Sequence, residues 1–432
     1  MYPRCFVHSA GYYPPFLAIT CGAVSILSIS RGCYPRPPSI LSKYDLDIFS
    51  SENPFLFAYI KNSLYLCSRK GLCEILMAYN SYARLIMINT RIHTLEKGYI
   101  EGVNFSRIVG ALGIVIFHFS CYCEPLKRYL YETANCPFGQ LWVALFFAVS
   151  GACVVRANTE STLWPFYKKR WLSIFPVFFV AYLVVFALKI VIYGNWWGAI
   201  NPWTFPLTLL GIDSYFYYLQ PNYSCIGEWF IGALLACYLL FPILRKMLQY
   251  APYTSAILLL IGCWFIPYLP IFIVEPWHNI WVCATIFYLG MLLSQYPALF
   301  TSKISLTIFG VLALLITFIP LPFKQFAPLS QLIYPTLSGI VWFIVLTQIG
   351  KYIESAAQWC SRCMRYLGKL AYPIFLVQHA VISAVLAKWS TPTFATSISV
   401  LCLDIALTLL LSDVILTLDE KIKKLVSDSS NF

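Results

Sequence analysis

Long apolar stretches recur along most of this chain, and they restrict its fold more than any other sequence feature. About 17 to 25 apolar residues are enough to cross the hydrocarbon core of a bilayer as a helix. In that medium only helices and closed barrels satisfy all of their backbone hydrogen bonds. We therefore predict an all-α, polytopic transmembrane helix bundle with about ten transmembrane helices. The ten stretches lie near residues 105–121, 141–156, 171–193, 228–244, 254–274, 279–294, 304–320, 331–349, 371–387 and 395–418.

Composition supports a membrane protein and excludes an ordinary soluble one. Of the 432 residues, 59% are hydrophobic and 11% are charged, which leaves too little polar surface to cover a soluble fold of this length. The net charge of +12 is dispersed over loops instead of forming one basic face, so we expect no nucleic-acid partner. Membrane lipid is the expected surrounding partner, and nothing in the sequence indicates an oligomeric state.

Basic residues alternate between the two sides of the predicted bundle. Lys and Arg are preferentially retained in cytoplasmic loops. Basic clusters follow the second, fourth, eighth and last predicted helices, at 168–170, 245–246, 362–369 and 421–424. We therefore expect both ends of the ten-helix body on the cytoplasmic side of the membrane.

The first hundred residues differ from the rest of the chain. They contain five of the sixteen cysteines, several prolines and scattered charges, without a clear helical period. We expect a poorly defined N-terminal extension at 1–98, a membrane domain at 99–420 and a short cytoplasmic tail at 421–432. Two explanations of the extension stay open: an additional domain, or an over-extended reading frame with Met77 or Met87 as the start.

Arg107 and His118 are ionisable residues in the first predicted helix. Such groups are costly at membrane depth and mark a functional site by default. The step of eleven residues from Arg107 to His118 covers about 16 Å and about three turns of helix, so both side chains share one face and one cavity could receive both. The alternatives are a histidine satisfied by a partner in the bundle and an arginine that extends to the membrane surface.

Five segments carry recognisable motifs in a fixed order: Arg107 to His118 (Arg-x10-His), 146–151 (Phe-Phe-x-x-Ser-Gly), 167–176 (a basic helix entry ending in Pro), 228–242 (Trp-Phe to Tyr-x-x-x-Pro) and 367–379 (Gly to Tyr to His). Taken together, they resemble the acyltransferase-3 family of integral membrane enzymes. The resemblance covers residues 104 to about 420. The chain departs from the family pattern at Ser173, where the family usually has a second arginine, and at Ala371, where it often has serine.

This resemblance implies an integral membrane O-acyltransferase. Members move an acyl group, here expected to be acetyl, from cytoplasmic acyl-CoA to a hydroxyl of a cell-surface glycan or its precursor. Acyl-CoA, expected as acetyl-CoA, would be the donor substrate and a glycan the acceptor. The expected location is the bacterial inner membrane. Two other functions stay open: a transporter or flippase that uses the buried ionisable groups to bind its solute, and a non-catalytic scaffold.

His118 is the expected general base, because a neutral imidazole suits proton abstraction from a hydroxyl near neutral pH. Burial disfavours the charged form of histidine and so keeps it able to accept a proton. Arg107 is expected to bind a donor phosphate or to hold a carboxylate. His379 would orient the acceptor or relay a proton, and Glu228 would bind the acceptor hydroxyl or orient His118.

The basic cluster Lys168, Lys169 and Arg170 is the expected binding site for the phosphates of coenzyme A. Topology alone would also explain these three residues. Cys360 and Cys363 form a single Cys-x-x-Cys on a predicted loop with no second pair at suitable spacing, so we expect no metal site. Cys123 and Cys136 share one predicted outward loop, where an oxidising environment would allow a disulfide.

Overall fold

Twelve α-helices make up the computed structural model within the part of the chain that it describes. That part covers residues 98–158, 162–193, 205–216, 226, 228–269, 275–326, 328–390 and 393–429. The predicted N-terminal extension lies almost wholly outside these ranges. The helices are α1 (Val103–Cys121), α2 (Glu124–Leu130), α3 (Phe138–Ala157), α4 (Leu163–Tyr193), α5 (Phe205–Leu209), α6 (Glu228–Tyr250), α7 (Pro252–Gly262), α8 (Ile280–Leu293), α9 (Lys303–Phe318), α10 (Tyr334–Ala356), α11 (Gln358–Lys388) and α12 (Phe394–Ser429).

Seven of these helices are long and apolar enough to cross a membrane, among the residues described. Three shorter apolar segments, Pro252–Tyr268, Ile280–Leu293 and Lys303–Phe318, coincide with the remaining predicted stretches. Each of the ten predicted stretches therefore corresponds to an apolar helical segment. The prediction of an all-α, polytopic bundle is confirmed.

Helix α3 lies at the centre and packs against α1, α8 and α10. Its crossing with α8 depends on two glycines. A methyl group on Gly151 would lie 2.0 Å from the Phe287 carbonyl oxygen, and one on Gly290 would lie 2.1 Å from the Ala148 carbonyl oxygen. Small residues let two helix backbones approach in this way. The Phe-Phe-x-x-Ser-Gly segment therefore has a packing role at this crossing.

Helix α1 enters the bundle through a turn that requires glycine. Gly102 has a φ of +80°, and a methyl group there would lie 2.0 Å from the Thr347 carbonyl oxygen. One turn later Ser106 and Thr347 hydrogen-bond through their hydroxyls at 2.8 Å. On its other side α1 packs along α11, where Gly368 lies directly against the Asn104 side chain.

Two local expectations were wrong. Cys360 and Cys363 lie in α11 and not in a loop, because the helix begins at Gln358. Lys168 lies inside α4, which begins at Leu163 instead of near 171. The disulfide that the sequence left open between Cys123 and Cys136 is not formed, since both are buried free thiols in the structure.

Candidate active site

Two histidines predicted as site residues meet between α1 and α11. The ring centroids of His118 and His379 are 4.1 Å apart, with an angle of 46° between the planes. Both side chains are half-buried. Near one end of this helix pair Gly368 of α11 lies against Asn104 of α1, and near the other end His379 contacts His118. The two helices therefore run side by side in the same direction. This direction is what brings together two residues so distant in sequence.

Aromatic side chains surround the histidine pair. Together with the pair they line a small cavity of about 30 Å³, here called the histidine cavity. The rings hold one another in place: Trp229 and Trp277 are 4.9 Å apart edge to face, and Phe230 and Phe375 are 4.7 Å apart. Space for about one water molecule admits a single reacting group and no whole sugar ring. The cavity lining consists of Ile114, Phe117, His118, Gly139, Val143, Trp229, Phe230, Trp277, Phe375 and His379.

A third histidine packs against the aromatic side chains that line the histidine cavity. His278 stacks on Trp229 at 4.1 Å and lies 4.0 Å from the Trp277 ring. Burial lowers the pKa of His278 from its ordinary value to about 4, and the Glu275 carboxylate opposes this effect only partly. His278 is therefore neutral near pH 7 and supports the rings that line the histidine cavity. His278 was not among the predicted site residues, although its position directly before an apolar stretch was a visible signal.

Lys189 of α4 places a positive charge within electrostatic range of His379. Lys189 is not among the residues predicted for the site. In the structure its charge lies near His379 of the candidate site.

Arg107 lies away from the histidine cavity. Its positive charge lies within electrostatic range of the Tyr238 hydroxyl in α6. Arg170 of α4 interacts with the same hydroxyl more strongly. The guanidinium carbon of Arg170 lies 5.8 Å from the Tyr238 ring centroid. We call this side of the bundle, with Arg107 and Arg170, the basic end, and the side with His118 and His379 the histidine end. The expectation that one cavity holds both Arg107 and His118 is not met by the histidine cavity, which Arg107 does not line.

The two lysines of the predicted donor cluster differ from Arg170. Lys168 and Lys169 are exposed, whereas Arg170 is half-buried and its buried Nε has no hydrogen-bond partner among the described residues. Arg170 also borders a cavity of about 460 Å³, here called the apolar cavity, which extends between α4 and α6 to Tyr215 and Ile280. Since Tyr215 donates a hydrogen bond to the His278 carbonyl oxygen at 3.1 Å, this cavity leads from the basic end towards the histidine end.

Glu228 is the first residue of α6, immediately before Trp229 of the cavity wall. The position agrees with its predicted place at the start of the helix. Its side chain lies outside what the structure describes, so its two predicted roles stay predictions.

Asp404 was overlooked by the sequence analysis. It lies fully buried in α12, and neither carboxylate oxygen has a hydrogen-bond partner within the described ranges. An aspartate inside the last apolar stretch was a visible signal, since intramembrane carboxylates mark functional sites by default.

Among the described residues, no three His, Cys, Asp or Glu side chains are grouped as ligands of a metal ion would be.

Comparison with known protein families decides the class of this chain. The model of an acyltransferase domain, that of the acyltransferase-3 family, matches residues 100–417. The chain belongs to this family. It is therefore an integral, multi-pass membrane protein with an acyltransferase domain, and the resemblance inferred from its motifs is confirmed. No curated protein and no solved structure matches the chain.

Proposed function

We propose that the protein is an O-acyltransferase that moves an acetyl group from cytoplasmic acetyl-CoA to a hydroxyl of a cell-surface glycan or its precursor. The observation that carries this proposal is the His118–His379 pair, with ring centroids 4.1 Å apart in a cavity that admits one reacting group. Membership of an acyltransferase family supplies the reaction class. The donor, the acyl group and the acceptor are parts of the proposal.

The donor would bind from the basic end. Arg170 has an unused buried Nε, and Arg107 adds a second positive charge near the same Tyr238 hydroxyl. Guanidinium groups bind phosphate through charge-assisted hydrogen bonds. The exposed Lys168 and Lys169 add positive charge at the entrance. The basic loops at this end support a cytoplasmic position for it, on the side where coenzyme A is available.

The thioester would reach the histidines through the interior of the bundle. His118 stands eleven positions after Arg107 in α1, a rise of about 16 Å that an extended pantetheine arm can cover. The apolar cavity beside Arg170 offers an uncharged surface that suits such an arm and its acyl group. Donor and acceptor would then meet at the histidine cavity from opposite ends of the bundle.

The chemistry requires one base and one proton carrier. His118 takes the proton of the acceptor hydroxyl as its oxygen attacks the thioester carbonyl carbon. The carbon–sulfur bond breaks, and the departing thiolate takes up the proton. His379, in contact with His118, holds the base in position and can pass this proton on.

Transfer of labelled acetyl from acetyl-CoA to glycan in membranes containing the protein tests the proposal. We expect His118→Ala to reduce the rate by about 100-fold or more, because general base catalysis contributes about that much. Thr307→Ala is a matched control, since Thr307 is exposed on α9 and lines none of the cavities described here. Equal expression and equal thermal stability of the variants would exclude a folding defect.

Undiminished transfer by His118→Ala would contradict the assignment of the base. Absence of transfer by the wild-type protein, combined with uptake or flipping of a labelled solute, would replace the proposal by a transport function. Full activity of the membranes after loss of both histidines would support a scaffold role instead.

A further inference from the structure

A polar cavity of about 600 Å³ adjoins the histidine cavity. It lies between the loop that precedes α3, the turn that precedes α8 and the segment that leads into α10. Trp277 lines both cavities, and Gly139 of the histidine cavity is followed directly by Gln140 of the polar cavity. The residues that give this cavity its chemical character are Glu132, Gln140, Glu275, Trp277, Lys324 and Gln331.

The loop that carries Glu132 is held rigidly. The buried Asn135 side chain donates a hydrogen bond to the Ile319 carbonyl oxygen at 2.8 Å and accepts one from the Leu321 N–H at 2.7 Å. The Ala134 N–H is bonded to the Thr317 carbonyl oxygen at 2.8 Å. The end of α9 thereby fixes this wall of the cavity, which makes it a preformed site.

The charged residues that line the cavity leave a negative balance. Glu132 and Glu275 are its carboxylates. Lys324 is the cation in the same lining. Two carboxylates and one ammonium group leave one negative charge. An anionic ligand would be repelled there, whereas hydroxyl groups would find hydrogen-bond acceptors.

Gln140 supplies an independent indication of a ligand. Its side chain is 9% exposed, and its buried Oε1 has no hydrogen-bond partner in the described part of the chain. A buried amide oxygen that accepts no hydrogen bond destabilises the protein. A hydroxyl group of a bound molecule would satisfy it. Since Gln140 follows Gly139, such a hydroxyl lies close to the histidine cavity.

Trp277 provides an oriented aromatic surface between the two cavities. Its indole N–H donates to a Glu275 carboxylate oxygen at 2.7 Å, while Trp229 packs against it edge to face at 4.9 Å. The apolar side of a sugar ring packs well on an indole whose polar group is already bonded. A ring in this position would direct one hydroxyl past Trp277 towards His118.

We propose that the polar cavity is the acceptor subsite and that it takes a neutral, polyhydroxylated sugar in preference to an acidic one. The sugar ring packs on Trp277, its hydroxyls donate to Glu132, Glu275 and Gln140, and one further hydroxyl reaches His118. This inference rests on the proposed function for its reaction and adds the chemical class of the acceptor.

Equilibrium binding tests the subsite without any acyl transfer. Cellotetraose and its C6-oxidised counterpart, tetraglucuronic acid, differ in charge but share their backbone. We expect calorimetry of the protein in nanodiscs to give tighter binding of cellotetraose. Gln140→Leu should weaken this binding about tenfold, the value of one lost hydrogen bond of about 1.4 kcal/mol. Joint replacement Glu132→Gln and Glu275→Gln should reduce the preference for the neutral sugar.

Glu124→Gln is the matched control, since Glu124 is exposed, pairs with Lys127 at 3.1 Å and does not line the cavity. Preference of the wild-type protein for tetraglucuronic acid would overturn the inference. Equal binding of cellotetraose by Gln140→Leu and Glu124→Gln would overturn it as well. Normal sugar binding without transfer from acetyl-CoA would support the subsite while contradicting the proposed donor, so the two failures are distinguishable.

Discussion

The two ends of the bundle use their polar groups differently. At the basic end most charges are bonded to the protein itself: Glu354 accepts from the Gly102 N–H at 3.1 Å, Glu101 pairs with Lys351 at 3.1 Å, and Arg156 donates to the Ser294 carbonyl oxygen at 2.9 Å. At the histidine end, polar side chains line cavities instead. The comparison separates charges that stabilise helix ends from groups that are available to a ligand.

Arg170 is the exception at the basic end. Its buried Nε lacks a partner among the described residues, and the apolar cavity begins beside it. Arg170 therefore has a nitrogen available to a ligand, whereas Arg156 at the same end is bonded to the protein. Replacing each arginine should separate donor binding from stability.

The largest expected effect concerns the donor. Arg170→Met should raise the KM for acetyl-CoA about 10- to 100-fold, because a hydrogen bond to a charged group contributes about 1.5–3 kcal/mol. The kcat should change little, since the histidines are untouched. Initial rates over a range of donor concentrations measure both constants.

Arg156→Met is the matched control at the same end. Its guanidinium is bonded to the Ser294 and Gly98 carbonyl oxygens, so its loss should lower the melting temperature and leave the donor KM unchanged. A rise of the KM in both variants would contradict the claim that Arg170 binds the donor and Arg156 only stabilises the fold.

A smaller effect is expected at Glu354, on stability alone. Burial and the Glu354 carboxylate raise the pKa of Tyr99 to about 12, so the Tyr99 hydroxyl keeps its proton and can donate to Glu354. Glu354→Ala removes the acceptor of both Tyr99 and Gly102. We expect a loss of about 1–3 kcal/mol of unfolding free energy, measured by thermal unfolding.

Glu354→Gln retains an acceptor oxygen and should recover part of that loss. Specific activity per folded molecule should stay unchanged in both Glu354 variants. A fall in kcat in either one would mean that the network around α1 contributes to catalysis and not only to stability.

A pH-dependent effect on stability is expected at His278. Its pKa is about 4 in the folded protein, below the ordinary 6.5, so folding favours the neutral form. The stabilisation is present above pH 6.5 and is lost as the pH falls from 6.5 towards 4, because the unfolded chain binds the proton first. Over this window the melting temperature should fall more in the wild-type protein than in His278→Phe. Parallel curves would show that His278 is not buried as described.

Hydropathy predicted the fold well because each apolar stretch has only one stable form in a bilayer. It predicted helix ends poorly. Helix α11 begins at Gln358, thirteen residues before the predicted stretch at 371, and α12 continues past 418 to Ser429. Helices continue into polar sequence outside the hydrocarbon, where an apolar window carries no signal.

The candidate site could be predicted only in part. Arg107, His118 and His379 stand out as ionisable residues in or beside apolar stretches, and the motif spacing connects them. Their grouping could not be predicted, because it depends on which helices pack together. The polar cavity depends on Glu132, Gln140 and Glu275, which lie in three separate segments and share no pattern along the chain.

The most direct test of the account is a double-mutant cycle on His118 and His379. The kcat/KM for acetyl transfer would be measured for His118→Gln, His379→Gln and the double variant, at equal thermal stability. If the two histidines act as one unit, the double variant loses no more activity than the worse single variant. Losses that multiply in the double variant would mean that the histidines act independently, and would contradict a single catalytic pair between α1 and α11.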